Sequence, residues 1–314
     1  MKPSERIETV QVEVTTACNL GCTFCPHMSL YRDRTERHVG FDEFREVFDR
    51  SFPQWHVTIF SGFSETLLNH DVFKMIEYEK ARGNSAILAT NGLLLDSERA
   101  QQIADLDVDG VTVTLDTMVP SRYAELRGVD ALPVVLRNLG SLQEAIRSKG
   151  ASTEVIINYV LMRSTAGCIR DVLDLMGREG IGSLFLIKLM QGSQSPGPFH
   201  KSEGMSWDEH EAMDYEAIRA HADRLGITVH RSSRASLHDP GCSLPSSAIY
   251  LTSSWDAFVC PFHVNNVEYR LGNLKESTIE EVRSSEQFKR LGAVFEAGSH
   301  LPECRDCACL FELI

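Results

Sequence analysis

Short apolar, β-rich runs alternate with segments of helical periodicity along the first two-thirds of the chain. The strand-like runs are 10–15 (VQVEVT), 56–61 (HVTIFS), 85–90 (SAILAT), 110–115 (GVTVTL), 153–162 (TEVIINYVLM) and 183–189 (SLFLIKL). They are of strand length and rich in β-branched residues, which pack well on a pleated surface. The spacing predicts helices between them, over 41–50, 70–82, 96–106, 131–147 and 168–179. In 131–147, Leu132, Val135, Leu136, Leu139 and Leu142 recur at helical spacing, and Pro133 sits in the first turn, where its missing N–H costs nothing.

Six strands, each followed by a helix or long loop, read as parallel βα units. A closed eight-stranded barrel would need two more units, so the expected fold is α/β, a partial (β/α)6 barrel. The segment 191–204 (QGSQSPGPFHKSEG) reads as a loop, and a helix is expected over about 206–225. From about 227 the texture changes to short strands and turns, with one amphipathic helix at about 277–291. The expected organisation is a core barrel over 1–225 and a small C-terminal α+β iron–sulfur domain over 226–314. There are no internal repeats and no low-complexity tracts.

Composition narrows the function. The chain has 314 residues, 43% of them hydrophobic, yet no apolar run approaches the roughly 20 residues of a membrane span. The N-terminal stretch MKPSERIETV has no apolar core of a signal peptide. The expectation is a cytoplasmic protein with reduced thiols, so its 9 cysteines point to metal ligands or reactive thiols rather than disulfides. A net charge of −13 argues against a nucleic-acid surface, and no membrane partner is expected.

Three of those cysteines, Cys18, Cys22 and Cys25, fall within eight positions directly after the first strand. Loops at the C-terminal ends of parallel strands are where α/β active sites gather. Three thiolates on one loop suit three corners of a cuboidal 4Fe–4S cluster, leaving the fourth iron open for chemistry. Gly21 lets the loop turn tightly. A zinc site is the alternative, with His27 as a poorly placed fourth ligand behind Pro26.

The pattern Cys18-x3-Cys22-x-Phe24-Cys25 resembles the signature of the radical S-adenosylmethionine (SAM) superfamily. Membership implies that the open iron binds SAM, whose reductive cleavage yields a 5′-deoxyadenosyl radical that takes a hydrogen atom from the substrate. Ser61 to Leu68 (SGFSETLL) resembles the family's glycine-rich SAM segment, with Gly62 and Glu65 in place and Ser64 and Thr66 departing from the usual glycine and proline. Thr90-Asn91-Gly92, Thr114-Leu115-Asp116 and the stretch Tyr123 to Gly128 (YAELRG) resemble further family motifs in the right order. The resemblance implies SAM contacts from Phe24, Gly62, Ser64, Glu65, Asn91, Thr114, Asn158 and Arg163, and an electron donor such as flavodoxin or ferredoxin.

Four more cysteines fall as Cys242-x17-Cys260-x43-Cys304-x2-Cys307. With the hairpin-like WDAFVCP and the following GNL, they resemble the Twitch (SPASM-like) extension of radical SAM enzymes. That implies one auxiliary 4Fe–4S cluster held by these four thiolates; zinc is again the alternative. Cys168 and Cys309 are left over, and either thiol would serve as a hydrogen donor to a substrate radical. Length and cysteine spacing resemble most the dehydrogenases of aminoglycoside biosynthesis, which oxidise a sugar or aminocyclitol alcohol to a ketone. A radical epimerase of a sugar or aminoglycoside, using Cys168 or Cys309, is the second expectation, and a ribosomal-peptide maturase the third. Glu13, Lys188, His200, Asp256 and His263 are polar residues considered for substrate contact; no general base is assigned.

Overall fold

The structure, a computed structural model, describes residues 7–31, 35–190, 198–233, 242, 247–264, 266–297, 301–302, 304, 307–308 and 311–314. From β1 (Thr9–Val12) the chain runs through the cysteine loop to α1 (His27–Tyr31) and α2 (Phe41–Ser51). Then come β2 (Val57–Phe60), α3 (Val72–Ala81), β3 (Ser85–Thr90), α4 (Ser97–Asp105), β4 (Gly110–Thr114) and α5 (Pro120–Arg127). They are followed by α6 (Leu132–Lys149), β5 (Glu154–Leu161), α7 (Ile169–Glu179) and β6 (Ser183–Lys188). Three helices, α8 (Pro198–Glu203), α9 (Trp207–Glu211) and α10 (Tyr215–Leu225), precede β7 (Thr228–Ser232). The C-terminal region adds β8 (Ala248–Leu251), β9 (Asp256–Phe258), β10 (Gly272–Asn273), α11 (Ile279–Ser284), α12 (Glu286–Glu296) and β11 (Phe311–Leu313).

The chain separates into two compact units. The first holds residues 1–18, 27–89 and 238–305. Its strands run in the order β10-β9-β8-β1-β2-β3. β8, β1, β2 and β3 are parallel, and β9 and β10 are antiparallel additions. The register sets Val12 beside Phe60 and Gln11 beside Tyr250. The second unit holds 19–26, 90–237 and 306–314. There β4, β5, β6 and β7 are parallel neighbours and β11 adds antiparallel to β7.

Burial alternates along β1, β2, β3, β5 and β6, as a two-residue period demands when one face is covered. In the first unit Val10, Val12, Phe60, Ala86 and Leu88 are fully buried, with Phe44 and Phe48 of α2 and Met75 and Ile76 of α3. The Phe44 and Phe60 rings lie 5.9 Å apart. In the second unit Val111, Val113, Ile157, Tyr159, Leu184 and Leu186 are buried with the apolar stripes of α6 and α7. Each buried Val, Leu, Ile, Phe or Met among them contributes about 1.5–3 kcal/mol by leaving water. The opposite face stays half-open: Thr112 and Thr114 on β4, Ile156, Asn158 and Val160 on β5, Phe185 and Ile187 on β6. Among the described residues no helix is long and apolar enough to cross a membrane.

Two expected helices are each two. Residues 206–225 form α9 and α10, because Asp214 accepts from Ala217 N–H and starts a second helix. Residues 277–291 form α11 and α12, because Ser285 accepts from Phe288 N–H and does the same. The expected loop at 191–204 is helical over Pro198–Glu203, while 191–197 lie outside the described residues. Helix α5 was not expected, although Pro120 opens it and Gly128 closes it at φ +77°.

Candidate cluster-binding site

In the second unit, the part of the cysteine loop carrying Cys22 and Cys25 is tied to the C-terminus of α5. Thr23 N–H donates to Leu126 O at 2.9 Å, and Cys25 N–H donates to Cys22 O at 3.2 Å. An added Cβ at Gly128 would stand 3.3 Å from Gly21 O, so backbone meets backbone there. Arg127 directly precedes Gly128. One Nη–H donates to Cys22 Sγ at 3.5 Å, and the guanidinium carbon lies 4.9 Å from the Phe24 ring centroid. The other Nη pairs with Asp116 Oδ2, while Asp116 Oδ1 accepts from Val160 N–H at 2.8 Å. Arg127 is 5% exposed and Asp116 1%.

Burial raises the Asp116 carboxyl above its ordinary value, against the pull of Arg127 and the Val160 amide. Burial alone would lower Arg127, but Asp116 and the Cys22 sulfur outweigh it, so the guanidinium is held more firmly protonated than usual. His200 of α8 reaches back to the same loop, with Nε2 3.0 Å from Phe24 O. Burial lowers its pKa, so the neutral ring is favoured and Nε2 carries the donated hydrogen. Phe24 also packs on Leu126, Met162 and Leu189.

In the first unit, Cys18 is half-buried at the start of the loop. Nearby on the same chain segment, Glu13 is 1% exposed. It accepts from Tyr31 Oη at 2.6 Å and from Phe63 N–H at 3.0 Å. Gly62 lies flush on it: a Cβ there would stand 2.5 Å from Glu13 Cγ. The glycine of the SGFSETLL segment is therefore required by Glu13 within this unit. Glu65 is buried; its carboxylate accepts from Leu67 N–H at 3.1 Å, and its own N–H donates to Ala17 O at 2.9 Å. Ser64 is half-exposed.

Thr114 and Asn158 are register partners on the half-open face of β4 and β5. Asn91 donates to Asn19 Oδ1 on the cysteine loop at 2.7 Å and accepts from Leu93 N–H. Arg163 is elsewhere engaged: its side chain is 45% exposed and pairs through both Nη atoms with Glu209 of α9. Cys168 is half-buried, with Thr117 Oγ1 donating to its sulfur at 3.6 Å. Lys188 is 1% exposed, its ammonium 4.9 Å from the Trp207 ring centroid. Asp256 accepts from Arg270 Nε at 2.6 Å and from Asn273, which makes it a brace of the β9–β10 pair.

The C-terminal thiols Cys242, Cys260 and Cys304 belong to the first unit and Cys307 to the second. Cys260 follows β9, and His263 on the next turn stands with Nε2 3.8 Å from Cys304 Sγ. Cys309 lies outside the described residues.

Residues 12–176, just over half of the chain, match the radical SAM superfamily. The chain belongs to that superfamily. Residues 242–308 match an iron–sulfur cluster-binding domain of the SPASM type. A radical SAM protein with that domain carries a 4Fe–4S cluster and SAM, and an auxiliary iron–sulfur site. The chain is 27% identical over 201 residues to a probable GTP 3′,8-cyclase of Methanococcus aeolicus, covering 63% of this chain and 64% of that protein. It thus spans less than two-thirds of the length of the first curated relatives it matches. The mycofactocin maturase MftC of Mycolicibacterium smegmatis is 22% identical over 307 residues, covering 93% of this chain and 76% of the maturase. Among solved structures, SuiB of Streptococcus suis bound to its precursor peptide SuiA superposes with TM-score 0.74 at 13% identity, covering 98% and 70% of the two chains. BtrN in complex with AdoMet and 2-DOIA gives TM-score 0.52 at 15% identity, covering 94% and 89%. These likenesses show the fold, a radical SAM partial barrel with a C-terminal iron–sulfur domain.

The residues present fit such a cluster. The loop offers three thiols, and Arg127 aims an N–H at one sulfur. A cuboidal cluster takes one thiolate at each iron. Arg127, Asp116, His200 and His263 acquire their places only in the folded chain. Arg127 and Asp116 stand inside the YAELRG and TLD stretches, which was the only signal for them.

Proposed function

We propose that this radical SAM enzyme acts on a peptide, abstracting a hydrogen atom from a carbon of one of its residues. The observation that carries this reading is the length of the match to the mycofactocin maturase. It runs through the barrel and the cluster-binding segment alike, over 93% of the chain. The likeness to SuiB bound to its precursor peptide supports it.

In this reading Cys18, Cys22 and Cys25 hold the SAM-binding cluster, and Cys242, Cys260, Cys304 and Cys307 the auxiliary one. Phe24, Gly62, Ser64, Glu65, Asn91, Thr114, Asn158 and Arg163 are the proposed SAM contacts, of which Arg163 is paired with Glu209 in this structure. Reduced by a flavodoxin- or ferredoxin-type donor in a cytoplasmic setting, the cluster and SAM supply the radical that takes the hydrogen. The chain's own part is to hold that chemistry dry and oriented. The division into a core over 1–225 and an iron–sulfur domain over 226–314 belongs to the same proposal.

Oxidation of a sugar or aminocyclitol alcohol is the second reading, favoured by the likeness to BtrN with AdoMet and 2-DOIA. Epimerisation would need a thiol donor, and Cys168 is the described candidate. The experiment is anaerobic release of 5′-deoxyadenosine from SAM by the reconstituted, reduced protein. A peptide library carrying every side-chain type is compared with aminocyclitols and sugars. Peptide-stimulated release with a mass change in the peptide is expected. Stimulation by an aminocyclitol alone would overturn the peptide reading. Loss of two hydrogens would then mark a dehydrogenase, and deuterium uptake from heavy water an epimerase.

A further inference from the structure

We propose that Arg127, oriented by Asp116, is a positioning residue that sets the reduction potential of the SAM-binding cluster through Cys22.

The geometry is fully built within one unit. Arg127 bridges two groups with one fork of its guanidinium, Cys22 Sγ at 3.5 Å and Asp116 Oδ2. Its plane is held from the side by the Phe24 ring. Asp116 is itself fixed by Val160 N–H. The loop cannot drift away, because Thr23 N–H and Oγ1 both bond Leu126 O, one residue before Arg127. Nε of Arg127 is buried without a partner among the described residues, so the side chain gives up a hydrogen bond to hold this pose.

The electrostatic consequence follows from charge counting. Three thiolates on a 4Fe–4S core of charge +2 make a site of charge −1, and one electron from the external donor takes it to −2. A fixed cation beside one thiolate stabilises the more negative state more, and burial leaves little water to screen it. The N–H bond to sulfur acts in the same direction. Asp116 opposes part of this effect, so the pair sets an intermediate potential. Arg127 is the right residue type because it stays charged and its fork serves sulfur and carboxylate together.

This inference rests on superfamily membership and on Cys22 as a ligand, not on the peptide reading; a substrate result of either kind leaves it standing. The test is a potentiometric titration of the reconstituted protein followed by electron paramagnetic resonance. The signal that changes on adding SAM identifies the relevant cluster. Arg127→Gln should move its midpoint to more negative potential. At the wild-type midpoint the reduced-to-oxidised ratio should fall by about tenfold, or about 59 mV for one electron. Arg127→Lys should recover part of that shift, and Asp116→Asn should move the midpoint the opposite way. An Arg127→Gln protein with full iron content and an unchanged midpoint overturns the proposal. If Arg127→Gln does not load iron, Asp116→Asn decides: a more positive midpoint supports the proposal and an unchanged one overturns it. Loss of the cluster in both variants would leave the pair a purely structural role and overturn it as well.

Discussion

Tyr250 lies on β8 with 1% exposure, and its hydroxyl has no hydrogen-bond partner among the described residues. Burial pushes its ionisation well above the ordinary phenol range, with Glu13 and Tyr31 adding to the effect. An unpaired buried hydroxyl costs about 1–3 kcal/mol relative to water. Tyr250→Phe removes the hydroxyl and keeps the ring, so it should leave the protein as stable or raise its stability by about 1 kcal/mol. Thermal unfolding of the apo protein checks this; a clear loss of stability would show that the hydroxyl has a partner. At this scale the sequence reads residue types well and partners poorly. Arg163 stands just after β5, where a ligand contact would be placed by order alone, yet its guanidinium is turned to Glu209. Glu13 reads as a polar residue in a strand; only the fold shows it clamped between Tyr31, Phe63 and Gly62.

Helix α5 is the element on which the cluster loop rests. The residue that caps its C-terminus, Gly128, has φ +77°, a conformation that costs a non-glycine residue about 1–2 kcal/mol. It also approaches Gly21 too closely for an easy Cβ. Gly128→Ala should therefore destabilise the protein by about 1–2 kcal/mol, and should also loosen the Cys22–Cys25 turn. Iron content after reconstitution should fall while the C-terminal cluster still loads; full iron content at wild-type stability would refute the role given to α5. The first six strands were legible because their apolar runs and lengths are local signals. α5 was not, because PSRYAELR has almost no apolar stripe and only its terminal proline and glycine announce it. The breaks at Asp214 and Ser285 were missed for a related reason. A capping side chain competes with the helix interior, and periodicity alone does not weigh that competition.

For the whole molecule, two cuboidal clusters predict about eight irons in the reconstituted protein. Changing Cys18, Cys22 and Cys25 together to Ala should leave about four, those of the auxiliary site. About four in the unaltered protein and none in the variant would remove the auxiliary cluster. The sequence by itself determined the βα alternation and the donor chemistry of the cysteine loop. Both are set by spacing along a few covalently linked residues, where periodicity and ligand reach are local properties. Only the tertiary structure decided what surrounds that loop. Arg127 meets Cys22 across 105 positions and His200 meets Phe24 across 176, through strand register and helix packing. Those contacts arise from the summed burial of many side chains, so no short stretch of sequence carries them.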